Sequence, residues 1–159
     1  MSDRLTKEWT PTAAGAFGAT GVKGDEGEQF MCKVFETWGW ECTAHPSSFG
    51  HQVGGVDITF RNPSWYNSYT ADIKNNLNIY GAFYVETYDE GWLFNPKKVC
   101  DRIWHCNPQT GWMAWYDRNE MKRFIVSKGL RNTGLYKIGA RDRVDFVTRR
   151  RYNVTKSDQ

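Results

Sequence analysis

Two short segments constrain this chain more than any others: Gly55-Val56-Asp57-Ile58-Thr59-Phe60 and Thr70-Ala71-Asp72-Ile73-Lys74-Asn75. Each is a β-branched, apolar strand pattern with an acid set inside it, and side chains along a strand alternate between two faces. The residues between them, 61–68, contain Asn62-Pro63-Ser64 and make a reasonable turn, so the two segments predict a hairpin. If Asp57 lies opposite Asp72, then Phe60 lies opposite Tyr69. In that register Val56, Ile58, Ala71 and Ile73 share one face, while Asp57, Asp72 and Lys74 share the other. A one-residue bulge would shift the pattern. Three acids, these two with Glu28, converging with one amine cost stability, because buried like charges repel and every charge loses its water. The arrangement makes sense if a metal cancels the charge, and carboxylates on neighbouring rigid strands are suited to hard divalent cations.

A helix is expected from Asp25 to Trp38, stopped by Gly39. Phe30, Met31, Val34, Phe35 and Trp38 form its apolar arc, and Glu28 sits at the edge of that arc, the acid of this helix best placed to reach inward to a sheet. The plainer role for Glu28 is a first-turn acid favoured by the helix dipole. Further strands are expected at about 40–44, 82–88, 102–106 and 112–116. Asp117-Arg118-Asn119-Glu120 resembles a capping box opening a helix to about Ser127, with Gly129 past its end. From Leu135 onward apolar and basic residues alternate, and a further hairpin is expected there. The order predicts one α/β domain, a mixed central sheet flanked by helices. Residues 1–23, rich in Gly, Ala and Thr, read as a flexible arm.

Charge is unevenly spread. Residues 1–117 carry 9 Lys/Arg against 14 Asp/Glu, a balance of −5, whereas residues 118–159 carry 12 against 4, a balance of +8. An acidic pocket that recruits metal beside a basic surface that holds phosphate is a coherent division of labour, with Arg141, Arg143, Arg149, Arg150 and Arg151 as the candidate DNA-binding residues. The competing reading is a solvated basic tail. The eight tryptophans are expected mainly in a sheet-rich core, with base stacking as the alternative. No apolar run approaches the ~18 residues of a membrane span, and the N-terminus lacks the apolar stretch of a secretory signal, so an intracellular, cytoplasmic protein is expected. Cys32, Cys42, Cys100 and Cys106 form no CxxC pair. Free, buried thiols are a better reading than structural zinc, because residues 105 and 106 of one strand point to opposite faces.

Glu28 on the first helix, Gly55-Val56-Asp57 on one strand and Asp72-Ile73-Lys74 on the next resemble the PD-(D/E)XK nuclease superfamily over residues 24–128. The resemblance implies a restriction-endonuclease-like core and magnesium-dependent phosphodiester cleavage, with manganese able to substitute. Carried onto these positions, Asp57 and Asp72 ligate the metal. Lys74 orients or polarises the attacking water, and Glu28 supports the metal shell or binds a second ion. Val56 stands where the family name has proline, and Asp72 stands where glutamate is common.

Within the superfamily the layout is most similar to archaeal-type Holliday-junction resolvases, which place a serine-bearing loop before the metal aspartate. Ser47 and Ser48 hold a comparable place, and Ser48 is the residue expected near the scissile phosphate. The resemblance does not extend to residues 129–159, read as a basic, DNA-contacting extension. The expectation is a DNA endonuclease acting on branched or structured DNA, as a homodimer or higher homo-oligomer. The alternatives are a site-specific duplex endonuclease of homing or restriction type, or a non-catalytic DNA-binding protein on a degenerate nuclease core.

Overall fold

The computed structural model describes residues 26–45 and 54–153. Strand β1 (Glu41–Ala44) lies antiparallel to β2 (Ile58–Arg61), and β2 pairs antiparallel with β3 (Tyr69–Lys74). Within the β2–β3 ladder Ile58 faces Ala71, Thr59 faces Thr70 and Phe60 faces Tyr69, as the hairpin reading requires. Ahead of Ile58 the register slips. The Asp57 N–H also donates to Ala71 O at 2.8 Å, so residues 57 and 58 both face Ala71. This is a one-residue bulge, and its consequence is a change of face for whatever precedes it. Val56, expected beside Ile58, instead packs into the apolar cluster on the opposite side of the sheet.

Beyond β3 the chain forms β4 (Phe83–Glu86), β5 (Arg102–Cys106), β6 (Trp112–Asp117), β7 (Leu135–Ile138) and β8 (Thr148–Arg151). The main sheet has the order β1-β2-β3-β5-β6-β8. β3 and β5 pair in parallel, and the long 75–101 crossover between them is what a parallel neighbour demands. Asp101 secures the entry to β5: its carboxylate accepts the Thr70 N–H at 2.9 Å, and its own N–H donates to Thr70 O. The hairpin expected after Leu135 does not form. β7 pairs with β4 in a separate two-stranded sheet, and β8 pairs with β6 at the edge of the main sheet. Both β4 and β6 had an edge open for pairing, and these two partners fill it.

Helix α1, 26–37, covers one face of the main sheet. Met31, Val34 and Phe35 are fully buried there against Ile58, Phe60, Ala71, Ile73, Trp104 and Met113. Five of the eight tryptophans (38, 40, 65, 104 and 115) belong to this cluster, so the high aromatic content serves mainly the core. Phe35 stacks on Phe60 and Trp40 at 4.9 and 5.3 Å, and Trp104 stacks on Trp115 at 4.1 Å.

The opposite face is covered by the β4–β7 sheet, by Trp92-Leu93-Phe94 and by helix α2 (Arg118–Ser127), whose Met121 and Ile125 are fully buried. Asp117 caps α2 by accepting the Glu120 N–H at 3.0 Å. Both helices end alike. Gly39 and Gly129 take positive φ, and the residue after each donates to the carbonyl five positions back, Trp40 to Phe35 and Leu130 to Ile125. The result is a single mixed α/β domain in which residues 135–151 supply edge strands. Among the described residues, no helix is long and apolar enough to cross a membrane. The arm read into residues 1–23 lies outside the described residues.

Candidate active site

Because β3 alternates, Ala71 and Ile73 turn toward α1, while Asp72 and Lys74 turn toward the other layer. Parallel pairing sets Asp72 beside Ile103 and Lys74 beside His105. Asp72 is only 5% exposed. Its Oδ2 lies 3.3 Å from Lys74 Nζ, and the ammonium sits 5.4 Å from the centre of the Trp92 ring. A buried ion pair resting on an indole face holds its geometry well but gains little net stability, since desolvation offsets the attraction.

Asp57, at the bulge, lies against this pair on the face expected for it. Asp57 Oδ2 accepts the Ile73 N–H at 2.8 Å, and its carboxyl is within hydrogen-bonding reach of that of Asp72. Its backbone stays tied on both sides, donating to Ala71 O and accepting from the His45 N–H at 2.8 Å. Gly55, just ahead, has φ +71 and lies tight against Lys98 and Asp72. A Cβ there would meet Lys98 Cδ at 3.0 Å and Asp72 Oδ2 at 3.8 Å, so both backbone conformation and space favour glycine.

The electrostatics follow from crowding. Burial, then the Asp72 charge beside it, pushes the Asp57 carboxyl up to about 8, against the lowering effect of the Ile73 N–H. Glu28 raises it further, so Glu28 is within electrostatic range, half-buried on the first turn of α1. Burial pulls Lys74 down, but Asp72, Asp57 and Glu86 together outweigh it and hold the amine above its ordinary value. Lys74 is therefore a fixed cation rather than a base. Burial and Asp72 push the nearby Cys100 thiol up to about 12, so it stays protonated and is no nucleophile.

Among the described residues, no three His, Cys, Asp or Glu side chains are gathered into a metal-holding group. The gathered carboxylates are Asp57 and Asp72, with Glu28 standing farther off. Two carboxylates suit magnesium, which is commonly held by one or two of them with water and substrate phosphate completing its shell. The donor set is oxygen, the neighbouring sulfur is protonated, and Asp57 retains a proton that a cation would displace. The residues present therefore fit a hard divalent ion.

Ser47, Ser48 and His51 lie outside the described residues. The five candidate DNA-binding arginines do not form one patch. Arg149 donates to Gly81 O at 2.6 Å and Gly139 O at 3.0 Å, and Arg151 to Thr110 O at 3.0 Å. Arg150 faces the other way, 4.7 Å from the Trp38 ring centre. Arg141 and Arg143 are exposed and, with Arg149, line an open hollow at 140–149.

His105 lies on β5, beside Lys74. It is fully buried, stacked on Phe83 at 4.1 Å, with Nδ1 2.6 Å from Asn76 Oδ1 and Nε2 2.7 Å from Tyr116 Oη. Burial, then Lys74 and Arg149, holds it well below its ordinary value. Neutral His105 donates from Nδ1 to Asn76 and accepts the Tyr116 hydroxyl at Nε2. This relay sits under Lys74 and fixes the floor of the site. Trp92 and Glu86 were not legible in the sequence, because they come from the crossover and from β4, and no spacing links either to Asp72.

No protein-family model matches the chain, and no curated protein or solved structure is significantly similar to it.

Proposed function

We propose that the protein is a magnesium-dependent DNA endonuclease of the PD-(D/E)XK kind, with a restriction-endonuclease-like core. The observation that carries this reading is the convergence of Asp57, Asp72 and Lys74 at the β2 bulge, where burial and the Asp72 charge push the Asp57 carboxyl up to about 8. Asp57 and Asp72 hold the metal, with manganese able to replace magnesium, and Glu28 adds negative charge from α1. Bound magnesium lowers the pKa of a water and offsets charge building on the phosphate. Lys74, kept protonated, presents a positive charge to the attacking water or a phosphate oxygen. Asn76, His105 and Tyr116 keep the strand beneath Lys74 from shifting. Substrate DNA is branched or structured rather than a defined duplex sequence, and cutting both strands favours a homodimer.

Incubation with supercoiled, linear and four-way-junction DNA tests this reading. Magnesium-dependent nicking or junction resolution is expected, and none with EDTA. Intact DNA in every arm, with magnesium and with manganese, would remove the reading. One duplex sequence competing far better than the junction would move the substrate to site-specific DNA.

For binding, Arg141→Ala with Arg143→Ala is a cleaner test than the 149–151 cluster, because these two arginines are exposed whereas Arg149 supports two carbonyls. Removing an arginine that neutralises one phosphate should flatten the slope of log K against log salt by about 0.9. The double variant should therefore have a slope shallower by ~1–2, alike on all DNA sequences. Unchanged affinity and slope by fluorescence anisotropy would make this hollow a solvated surface.

A further inference from the structure

We propose that Cys32 and Cys42 are a modification site of their own, a dithiol that a peroxide converts reversibly into a disulfide tying α1 to β1. The proposal does not depend on the nuclease reading. The two sulfurs, on different elements, approach to 3.1 Å. A disulfide bond is about 2.0 Å long, so closure needs a movement of about 1 Å. Cys42 lies on β1, which among the described residues has no further strand on its outer side in the main sheet, and an edge strand can yield by that amount.

Access separates this pair from the other thiols. Cys100 and Cys106 are buried, whereas Cys32 and Cys42 are partly exposed, which corrects the expectation that all four are buried. Cys32 also lines a surface hollow of about 330 Å³ with Glu28, Gln29, Lys33, Glu36 and Ala44, wide enough for a small oxidant.

The two thiols are chemically unlike. The Cys42 S–H donates to the Cys32 sulfur, and this bond lowers Cys32 against the opposing pull of burial, Glu36 and Glu28. The same bond, with burial, raises Cys42. Cys32 is the attacking sulfur and Cys42 the resolving one. In the first step the Cys32 thiolate attacks a peroxide oxygen and the O–O bond breaks. Cys32 becomes a sulfenic acid, and the departing oxygen leaves as water after taking a proton. In the second step the Cys42 sulfur attacks Cys32 Sγ and the S–O bond breaks. The hydroxide leaves as water with the Cys42 proton. The two sulfurs together give up two electrons, and the peroxide takes them.

The test is peptide mapping of the native full-length protein after hydrogen peroxide, with an unfolded thiol peptide in the same tube as a reactivity control. Trypsin cuts after Lys33, between the two cysteines, so the disulfide would appear as peptides 24–33 and 34–61 joined, lighter by two hydrogens than the reduced pair. Alkylation of both thiols should fall roughly tenfold and recover with dithiothreitol. In Cys42→Ser the joined species should vanish and dimedone should trap a sulfenic acid on Cys32. Cys32→Ser should leave Cys42 alkylatable. The proposal is overturned if both thiols stay alkylatable while the control oxidises, if Cys32 proceeds to sulfinic acid unjoined, or if the only disulfide joins two chains.

Discussion

Asp57→Asn is expected to make the metal-free protein more stable at pH 8 and to abolish its magnesium-dependent DNA cleavage. The stability half follows from proton linkage. The Asp57 carboxyl, raised from 3.8 to about 8, binds a proton in the folded state that the unfolded chain releases. That contribution is complete below pH 4 and is lost as pH rises toward 8. His105 has the opposite sign. Held well below 6.5, it stays neutral when folded, so folding is penalised as pH falls below 6.5. The two slopes oppose each other below pH 6.5, and above it His105 no longer opposes Asp57. At ~1.4 kcal/mol per pH unit, the metal-free protein should lose about 2 kcal/mol between pH 6.5 and 8.

Asparagine cannot ionise, yet it keeps an oxygen for the Ile73 N–H and adds an amide that can donate to Asp72. The variant should lose this pH dependence and melt ~4–8 °C higher than wild type at pH 8. Cleavage should fall by at least ~10²–10³-fold, since the site then has one carboxylate for the metal. Melting scans at pH 6.5 and 8, beside a cleavage assay, read both halves. A variant that cleaves like wild type would remove Asp57 from the chemistry, and a pH slope that persists would remove it from the titration.

Lys74→Met should retain DNA binding and lose cleavage by ~10²–10³-fold, the usual cost of deleting one charge-stabilising donor. Methionine nearly preserves the volume against Trp92, so the loss is chiefly of charge. Asp57 and Asp72 then lose the ammonium that lies against them. Breaking a buried pair is costly, but Lys74 keeps 28% of its side chain in solvent, so about 1–3 kcal/mol at pH 8 is the discounted expectation. Magnesium should restore much of that stability without restoring cleavage, and this split separates a catalytic lysine from a structural one. Denaturant titrations with and without magnesium supply the readout. Wild-type cleavage by Lys74→Met would end the assignment.

Local rules were enough for the elements and for much of the register. The apolar arc of α1, Gly39 and Gly129 beyond the helix ends, the Asp117 cap, and the Ile58–Ala71 and Phe60–Tyr69 pairs all depend on residues close together in the chain. So does the alternation that sends Asp72 and Lys74 to one face. The bulge at Asp57 was another matter. It depends on how β2 sits between β1 and β3, with the Asp57 carbonyl bonded to the His45 N–H and its N–H to Ala71 O, and it is the bulge that moves Val56 across the sheet.

The separate destinations of β7 and β8 were likewise decided by which edges β4 and β6 left open, and the arginines from 149 to 151 were dispersed as a result. Trp92, Glu86 and the Asn76–His105–Tyr116 relay reach Lys74 only through the crossover and the packing of the second sheet. The Cys32–Cys42 approach, ten residues apart without a motif, needed α1 to lie against an edge strand. Period and caps are properties of a few neighbouring residues. Bulges, edges and charge clusters are settled by competition among segments far apart in the chain, and this competition is resolved only in the tertiary structure.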